Sequence, residues 1–324
     1  MSILTVKAPA KINLHLRVKN CRSDGFHELE SIFAALDFGD ILHFEPCLPF
    51  GKIKIDVQAL PFVFNDGQEP EQALPPSKNI ISRAISLYRE RTGFNYGLKI
   101  NLEKNIPLGG GLGGGSSDAA STLLALNTLA AEASMPGIKP LDAASLDELG
   151  AVLGSDVPFF LKKYSAARVS GRGEIIQPLK IPAALRILLV YPGFSSETGE
   201  AFRSLDKFRE LTPLLVSADK NGHDFASLSN EELNAILAGS PGNWPWFNDF
   251  LPVLSQNQTE KIAYQNILER LRELGAEFSG LSGAGSTCFG VFLGETAQKV
   301  LENLNFDRFF IKFTFPLEIG AGEV

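Results

Sequence analysis

The sequence predicts an α+β chain of two domains, and three observations carry that expectation. At 324 residues the chain favours roughly two domains with ample core. Segments of period two and segments of helical period both recur along it. After Ile181-Pro182 the pattern changes to strand, helix, strand, strand, helix, strand, the split ferredoxin-like order. The domains are therefore expected at 1–183 and 184–324.

Composition narrows the class. With 44% hydrophobic and 21% charged residues the chain is globular, neither disordered nor fibrous. Its net charge of -7 offers no basic excess to neutralise a nucleic-acid backbone or an anionic membrane. No apolar run is long enough to span a bilayer, and the start lacks the apolar core of a signal peptide. Cys21, Cys47 and Cys288, odd in number and far apart, make neither a disulfide framework nor a zinc site and read as free thiols in a reducing cytoplasm.

In chain order, Ile3 to Ala8 and Ile12 to Lys19 read as strands split by Pro9. In the second, Ile12, Leu14, Leu16 and Val18 share one face; Lys11, Asn13, His15 and Arg17 share the other. Arg17 and Lys19 read as solvated, while Lys11 and Asn13 stay open between solvent face and site. Cys21 to His27 is a loop. Strands follow at Glu28 to Leu36, Ile41 to Glu45 and Ile53 to Leu60, with Phe38-Gly39-Asp40 as a turn. Pro61 to Lys78 reads as a long surface loop, and Asn79 to Thr92 as a helix between Ser77 and Gly93. His43, in a short strand, and His223, in a polar loop, read as structural or solvated.

The stretch Pro107-Leu108-Gly109-Gly110-Gly111-Leu112-Gly113-Gly114-Gly115-Ser116-Ser117 joins a strand, Tyr96 to Lys104, to an alanine-rich helix, Ser116 to Glu132, with a serine available as its cap. Glycines let backbone N–H groups approach a ligand, and a helix start adds unpaired donors and roughly half a positive charge. A flexible linker does not fit between a strand and a strong helix. Gly109, Gly111 and Gly114 match the dinucleotide spacing formally, but Glu132 falls at the tail of the helix where a second strand should end in an acid. No lysine follows the last glycine, so a Walker loop fails as well. Nucleotide phosphate in a loop of neither type remains.

Beyond it, Ser145 to Leu153 reads as a helix stopped by Gly154, then Asp156 precedes the apolar Val157-Pro158-Phe159-Phe160-Leu161. That aspartate is expected to be part-buried with a partner, or else to cap a helix. Ala166 to Val169 and Glu174 to Leu179 read as a strand pair. The second domain follows as a strand, Leu185 to Tyr191; helices at Glu200 to Phe208, Asn230 to Leu237 and Glu260 to Leu274; strands at Glu277 to Leu281 and Thr287 to Leu293; a helix, Glu295 to Leu304; and a strand, Phe309 to Phe315. Trp244-Pro245-Trp246-Phe247 is expected to pack on the adjacent helix rather than stand exposed. A small-residue loop, Leu281 to Thr287, reads alone as a wide hairpin and with the first loop as the other wall of a nucleotide pocket.

For phosphoryl transfer, a lysine and an aspartate suffice beyond such a cradle, and Lys11 and Asp156 are the candidates. No G-x-S-x-G elbow exists, and the four histidines show no metal-ligand spacing.

Pro9-Ala10-Lys11-Ile12-Asn13-Leu14, Asp24-Gly25-Phe26-His27, the loop from Pro107, Gly154-Ser155-Asp156-Val157-Pro158-Phe159 and Ser282-Gly283-Ala284-Gly285-Ser286 occur in that order. This series resembles the GHMP small-molecule kinases, and most closely the branch whose acceptor is a cytidine-diphosphate-linked tetritol. The resemblance implies an N-terminal ribosomal-S5-like domain, a C-terminal ferredoxin-like domain, ATP as co-substrate with Mg2+ expected, and a monomer or homodimer. It implies Asp156 as general base for a tertiary hydroxyl and Lys11 as its partner, orienting it and offsetting charge. Asn13 and His27 are implied as substrate contacts, His27 at the cytosine, with Phe26 stacking on that ring and Phe202 on its opposite face. Pro107 to Ser117 match the ATP phosphate loop, and Asn79 falls where the family approaches adenine. Phe26 stands where many members have tyrosine, and Leu214 to Leu251 is longer and richer in proline and tryptophan than the family leads one to expect. The superfamily's separate magnesium-binding glutamate is not placed on any residue here, so the metal ligands stay unassigned. The resemblance leaves two other readings, a mevalonate- or homoserine-type kinase and a non-catalytic nucleotide-binding regulator.

Overall fold

A computed structural model describes residues 2–22, 25–60, 63, 75, 79–132, 138–211, 225–253, 258–294, 300 and 310–318, in two compact units. The first comprises Met1–Ala10, Phe38–Leu108 and Gly113–Lys163; the second comprises Lys11–Asp37, Gly109–Leu112 and Tyr164–Val324. Both mix helix and sheet, as the α+β class requires.

In the first unit, strand β3 (Ile53–Ala59) lies parallel to β4 (Gly97–Lys104), and β4 pairs antiparallel with Ile41 to Cys47 of β2 (His27–Cys47). Helix α2 (Gly114–Glu132) is the unit's spine. It packs against α1 (Ile80–Thr92), α3 (Ala143–Leu153) and the short α4 (Val157–Leu161). Its apolar residues are buried on nearly every side, from Ala119 and Ala120 to Leu129 and Ala130, which suits a helix enclosed by neighbours.

Two expected breaks do not occur. Pro9 lies inside a single strand, β1 (Leu4–Cys21), and Phe38-Gly39-Asp40 runs straight through β2. Proline is tolerated in a strand where no ladder N–H is needed. Gly39 is there for closeness rather than a turn: a Cβ on it would lie 2.2 Å from the Ala8 carbonyl oxygen.

In the second unit, β7 (Arg186–Tyr191), β8 (Phe278–Leu281), β9 (Cys288–Phe292) and β10 (Phe310–Thr314) form an antiparallel sheet in the order β10-β7-β9-β8. That is the arrangement expected of the split βαββαβ order. Helices α5 (Thr198–Leu211) and α7 (Gln258–Glu273) cover it, and Leu188, Val190, Leu205, Phe250, Ile267 and Leu271 belong to one buried cluster. Leu29 to Ala34 of β2 pair with β5 (Ala166–Gly171), which forms the expected hairpin with β6 (Ile175–Leu179). Helix α6 (Asn230–Ala238) opens on a capping box, Ser229 with Glu232. Trp244 is buried as expected, its indole N–H donating to the Ile236 carbonyl of α6. The cysteines are unpaired. Ser23, Asp24, Ser77 and His223 lie outside the described residues, as do the Pro61 to Lys78 loop apart from Val63 and Pro75, and the Glu295 to Leu304 helix apart from Val300.

Asn79 is the N-cap of α1: its Oδ1 accepts from the Ile81 N–H at 2.9 Å, and Gly93 closes the helix in a left-handed conformation. Replacing Asn79 by Ala should lower stability by about 1 kcal/mol in urea unfolding; an unchanged midpoint would mean that the cap is dispensable.

Candidate active site

The glycine-rich run is not a slack loop. Gly109, Gly111 and Gly113 have φ of 65°, 75° and 71°, the left-handed region that side chains resist. Four successive carbonyls are tied into the second unit. Gly109 O accepts from Ser196 N (3.1 Å), Gly110 O from Thr287 N (3.1 Å), Gly111 O from Ser282 Oγ (2.8 Å) and Leu112 O from Lys11 N (2.9 Å). The negative ends of these peptides are therefore committed to protein, and an anion approaching the run does not meet them. The small-residue loop between β8 and β9 is the immediate backing: a Cβ on Gly111 would lie 2.1 Å from Ser282 O. The two loops thus touch directly, with Ser282 and Thr287 as the fasteners.

Helix α2 starts at Gly114, earlier than its composition indicated, so Ser116 and Ser117 lie in its first turn rather than at its cap. Ser117 is fully buried and its hydroxyl finds no protein partner. Beneath this turn is a cluster that the sequence reading missed. Lys104 Nζ donates to Asp118 Oδ2 at 2.6 Å and to Asp40 Oδ2, and all three side chains are buried. Asp40 Oδ1 also accepts the N–H groups of Asn105 (2.6 Å) and Ile106 (2.8 Å), which fixes the chain as it enters Pro107 and Leu108. Burial pushes the Asp118 carboxyl up to about 8, with Lys104 opposing and Asp40 reinforcing the rise. Burial also works against the Lys104 charge, but the two carboxylates outweigh it and its pKa is raised. The available signal was a lone aspartate in an otherwise small and apolar helix.

Lys11 and Asn13 are brought together. Both are buried, and Lys11 Nζ donates to Asn13 Oδ1 at 2.7 Å while lying 4.8 Å from the centre of the Phe33 ring. Asn13 N donates to Ser282 Oγ at 3.4 Å, so the same serine touches both Asn13 and Gly111. His15, on the same face, is stacked on Phe225 at 4.3 Å; burial first, then Arg17, lowers its pKa to about 3.

Asp156, part-buried in the first unit, sits at the start of α4, and its side chain makes no capping bond there, which removes the capping reading. Gly154, two residues earlier, faces Ser116: a Cβ on it would be 3.9 Å from Ser116 Oγ. Elsewhere in the second unit, His27 Nε2 pairs with Asp206 Oδ1 at 2.8 Å, and its ring stacks on Phe202 at 4.9 Å. Phe202 in turn meets the edge of Phe250 at 5.0 Å. Phe26 is 53% exposed, with the Arg172 guanidinium 5.0 Å from its ring centre. Among the described residues no group of three His, Cys, Asp or Glu side chains is arranged to hold a metal ion, and no helix is long and apolar enough to cross a membrane.

Residues 79–163 match the GHMP kinases N terminal domain, and residues 242–307 match the GHMP kinases C terminal family. The chain is 37% identical over 301 residues to the 4-diphosphocytidyl-2-C-methyl-D-erythritol kinase of Thermodesulfovibrio yellowstonii, covering 93% of this chain and 94% of that one. To the enzyme of the same name from Xanthomonas axonopodis it is 35% identical, covering 90% and 83%. A crystal structure of 4-(cytidine 5'-diphospho)-2C-methyl-D-erythritol kinase superposes with a TM-score of 0.70 at 32% identity, covering 96% and 99%. The homoserine kinase of Cytophaga hutchinsonii, at 18% identity and a TM-score of 0.64, shares the fold over 97% of this chain and 95% of its own.

The buried carboxyl yields a pH prediction. Asp118 holds its proton in the folded state up to about pH 8, whereas its ordinary value is 3.8. Between those values the folded state binds a proton that the unfolded state has released, so stability falls as pH rises across the window. Asp118→Asn should flatten that slope in urea unfolding measured from pH 5 to 8; parallel curves for the two proteins would refute the assignment.

Proposed function

Because this chain belongs to the 4-diphosphocytidyl-2-C-methyl-D-erythritol kinases of the GHMP superfamily, we propose that it transfers the γ-phosphate of ATP to the 2-hydroxyl of 4-diphosphocytidyl-2-C-methyl-D-erythritol. The step would belong to non-mevalonate isoprenoid precursor synthesis, in the cytoplasm, by a monomer or homodimer. The observation that carries the reading is the glycine run whose four carbonyls at 109–112 are all bound back into protein. Such a run suits phosphate oxygens, and Pro107 to Ser117 form the ATP phosphate site in this proposal. Asn79 lies by the adenine, using whatever capacity its capping bond leaves.

Asp156 acts as the general base. A carboxylate that accepts the hydroxyl proton as the oxygen attacks lets the alcohol become a nucleophile without releasing a free alkoxide. Lys11 orients that reaction and offsets the negative charge that grows on the transferring phosphoryl group. Support comes within each unit: in the second, Lys11 N is bonded to Leu112 O, and in the first, Gly154, two residues ahead of Asp156, approaches Ser116. Asn13 contacts the tetritol, and Phe26 and His27 take the cytosine with Phe202 beside them. Magnesium, where bound with the nucleotide, would supply charge stabilisation to the transferring phosphoryl group; no step here is routed through it.

Turnover is read as ADP release with ATP and the cytidine-linked acceptor. Asp156→Asn should remove most of kcat while nucleotide binding stays nearly intact, and full activity would refute its role. Lys11→Ala should cost on the order of a hundredfold in kcat, and a near-normal rate would reduce it to a structural lysine. Equal activity on acceptors with and without the cytidine moiety would favour a mevalonate- or homoserine-type kinase instead. ATP binding with no acceptor-dependent ADP release would favour a regulator.

A further inference from the structure

Ser31 is fully buried on β2, and the reaction outlined above makes no use of it. We propose that Ser31 is a positioning residue for the Lys11–Asn13 pair, acting through a one-way chain of hydrogen bonds that ends on the His15 carbonyl. The proposal rests on the reading of Lys11 and Asn13 as site residues.

The direction of the chain follows from what each group can give. A backbone carbonyl only accepts, so Ser31 Oγ spends its single proton on His15 O. The hydroxyl oxygen is then left as an acceptor, and Asn13 Nδ2 donates to it at 3.0 Å. With its NH2 end on Ser31, the Asn13 amide must turn Oδ1 the other way, toward Lys11. An ammonium has only donors, and it meets that oxygen at 2.7 Å. Both ends of the amide therefore dictate the same orientation.

The strand geometry makes this arrangement available. Asn13 and His15 are two apart on β1 and share a face, so one hydroxyl from the paired strand β2 can take a bond from the first and give one to the second. Burial makes it consequential: Lys11 is 4% exposed, Asn13 3% and Ser31 0%, so water does not readily replace a lost partner. Without the hydroxyl, an Asn13 N–H is stranded and the amide is held at one end only. The Lys11 ammonium then loses a fixed anchor, not its charge.

Threonine and valine are nearly equal in volume and differ at the hydroxyl, so Ser31→Thr and Ser31→Val separate the bond from the packing. Kinetics of ADP release and melting temperature are measured for both, and for Asn13→Ala and Lys11→Ala. The expected result is a Ser31→Thr rate close to that of the unaltered protein and a Ser31→Val kcat about tenfold lower, with KM for ATP unchanged in both. Adding Ser31→Val to Asn13→Ala should then cost nothing further, because the path through Asn13 is already cut. Equal rates for the Thr and Val variants, or a full additional loss in the double variant, would overturn the proposal while leaving the site reading standing. Normal rates for Lys11→Ala and Asn13→Ala would overturn the site reading and the proposal together.

Discussion

No side chain fits at Gly111. Its backbone is in the left-handed region, and an added Cβ would come within 2.1 Å of Ser282 O and 2.7 Å of Gly285 O. Gly109 is confined in the same way, with a Cβ position 2.5 Å from the Ser195 side chain. This closeness lets a loop without regular structure surrender four consecutive carbonyls to specific donors. A mobile glycine loop would lose much of its conformational entropy on gripping a phosphate; one already tied down has less to lose. Lys11 is part of the same fastening, since its own N–H holds Leu112 O. The lysine side chain is thus referenced to the loop through one residue of backbone.

Two buried lysines are held by partners of different kinds. Lys104 lies between the Asp40 and Asp118 carboxyl groups at the entry to the glycine run, and Asp40 spends its other oxygen on two backbone N–H groups there. That lysine is saturated by its partners and serves the chain path. Lys11 is held differently where its contacts are with Asn13 and Phe33, an amide oxygen and a ring face that orient an ammonium. The cost of burying it is offset by its bond to Asn13 and by the aromatic face.

Much of this was legible in the sequence because it rests on local chemistry. The strand before the glycine run fell where composition put it, as did the Gly93 and Gly154 stops and the strand order after Pro182, while the alanine-rich helix began two residues early, at Gly114. What misled were residues whose local meaning is overridden by a neighbour. Pro9 and Gly39 read as breaks because proline and glycine usually are, yet each sits inside a long strand, and Gly39 is required only by the approach of Ala8. The alternation along β1 left Lys11 and Asn13 open between solvent and site, and with His15 they are as enclosed as the leucines opposite. Ser31, Asp40, Lys104 and Asp118 escaped notice because their partners lie between 14 and 66 residues away, and no periodicity encodes such a pairing.

The proline- and tryptophan-rich insertion gains a meaning from the same strand. Phe247 O accepts from Leu16 N and Asp249 N donates to Leu16 O, so the insertion's described end runs beside β1 just past the Lys11–Asn13 pair. Its aromatic residues enclose His15: Phe225 stacks on the imidazole, while Trp246 and Phe247 meet it at an angle. Arg168 holds this wall by donating to the carbonyls of Phe225, Ala226 and Leu228. Enclosure keeps the imidazole neutral until the pH falls to about 3. A protonated His15 would add a positive charge to the face of β1 that Lys11 shares. By enclosing that position, the insertion keeps the histidine from adding its charge to this face of the strand.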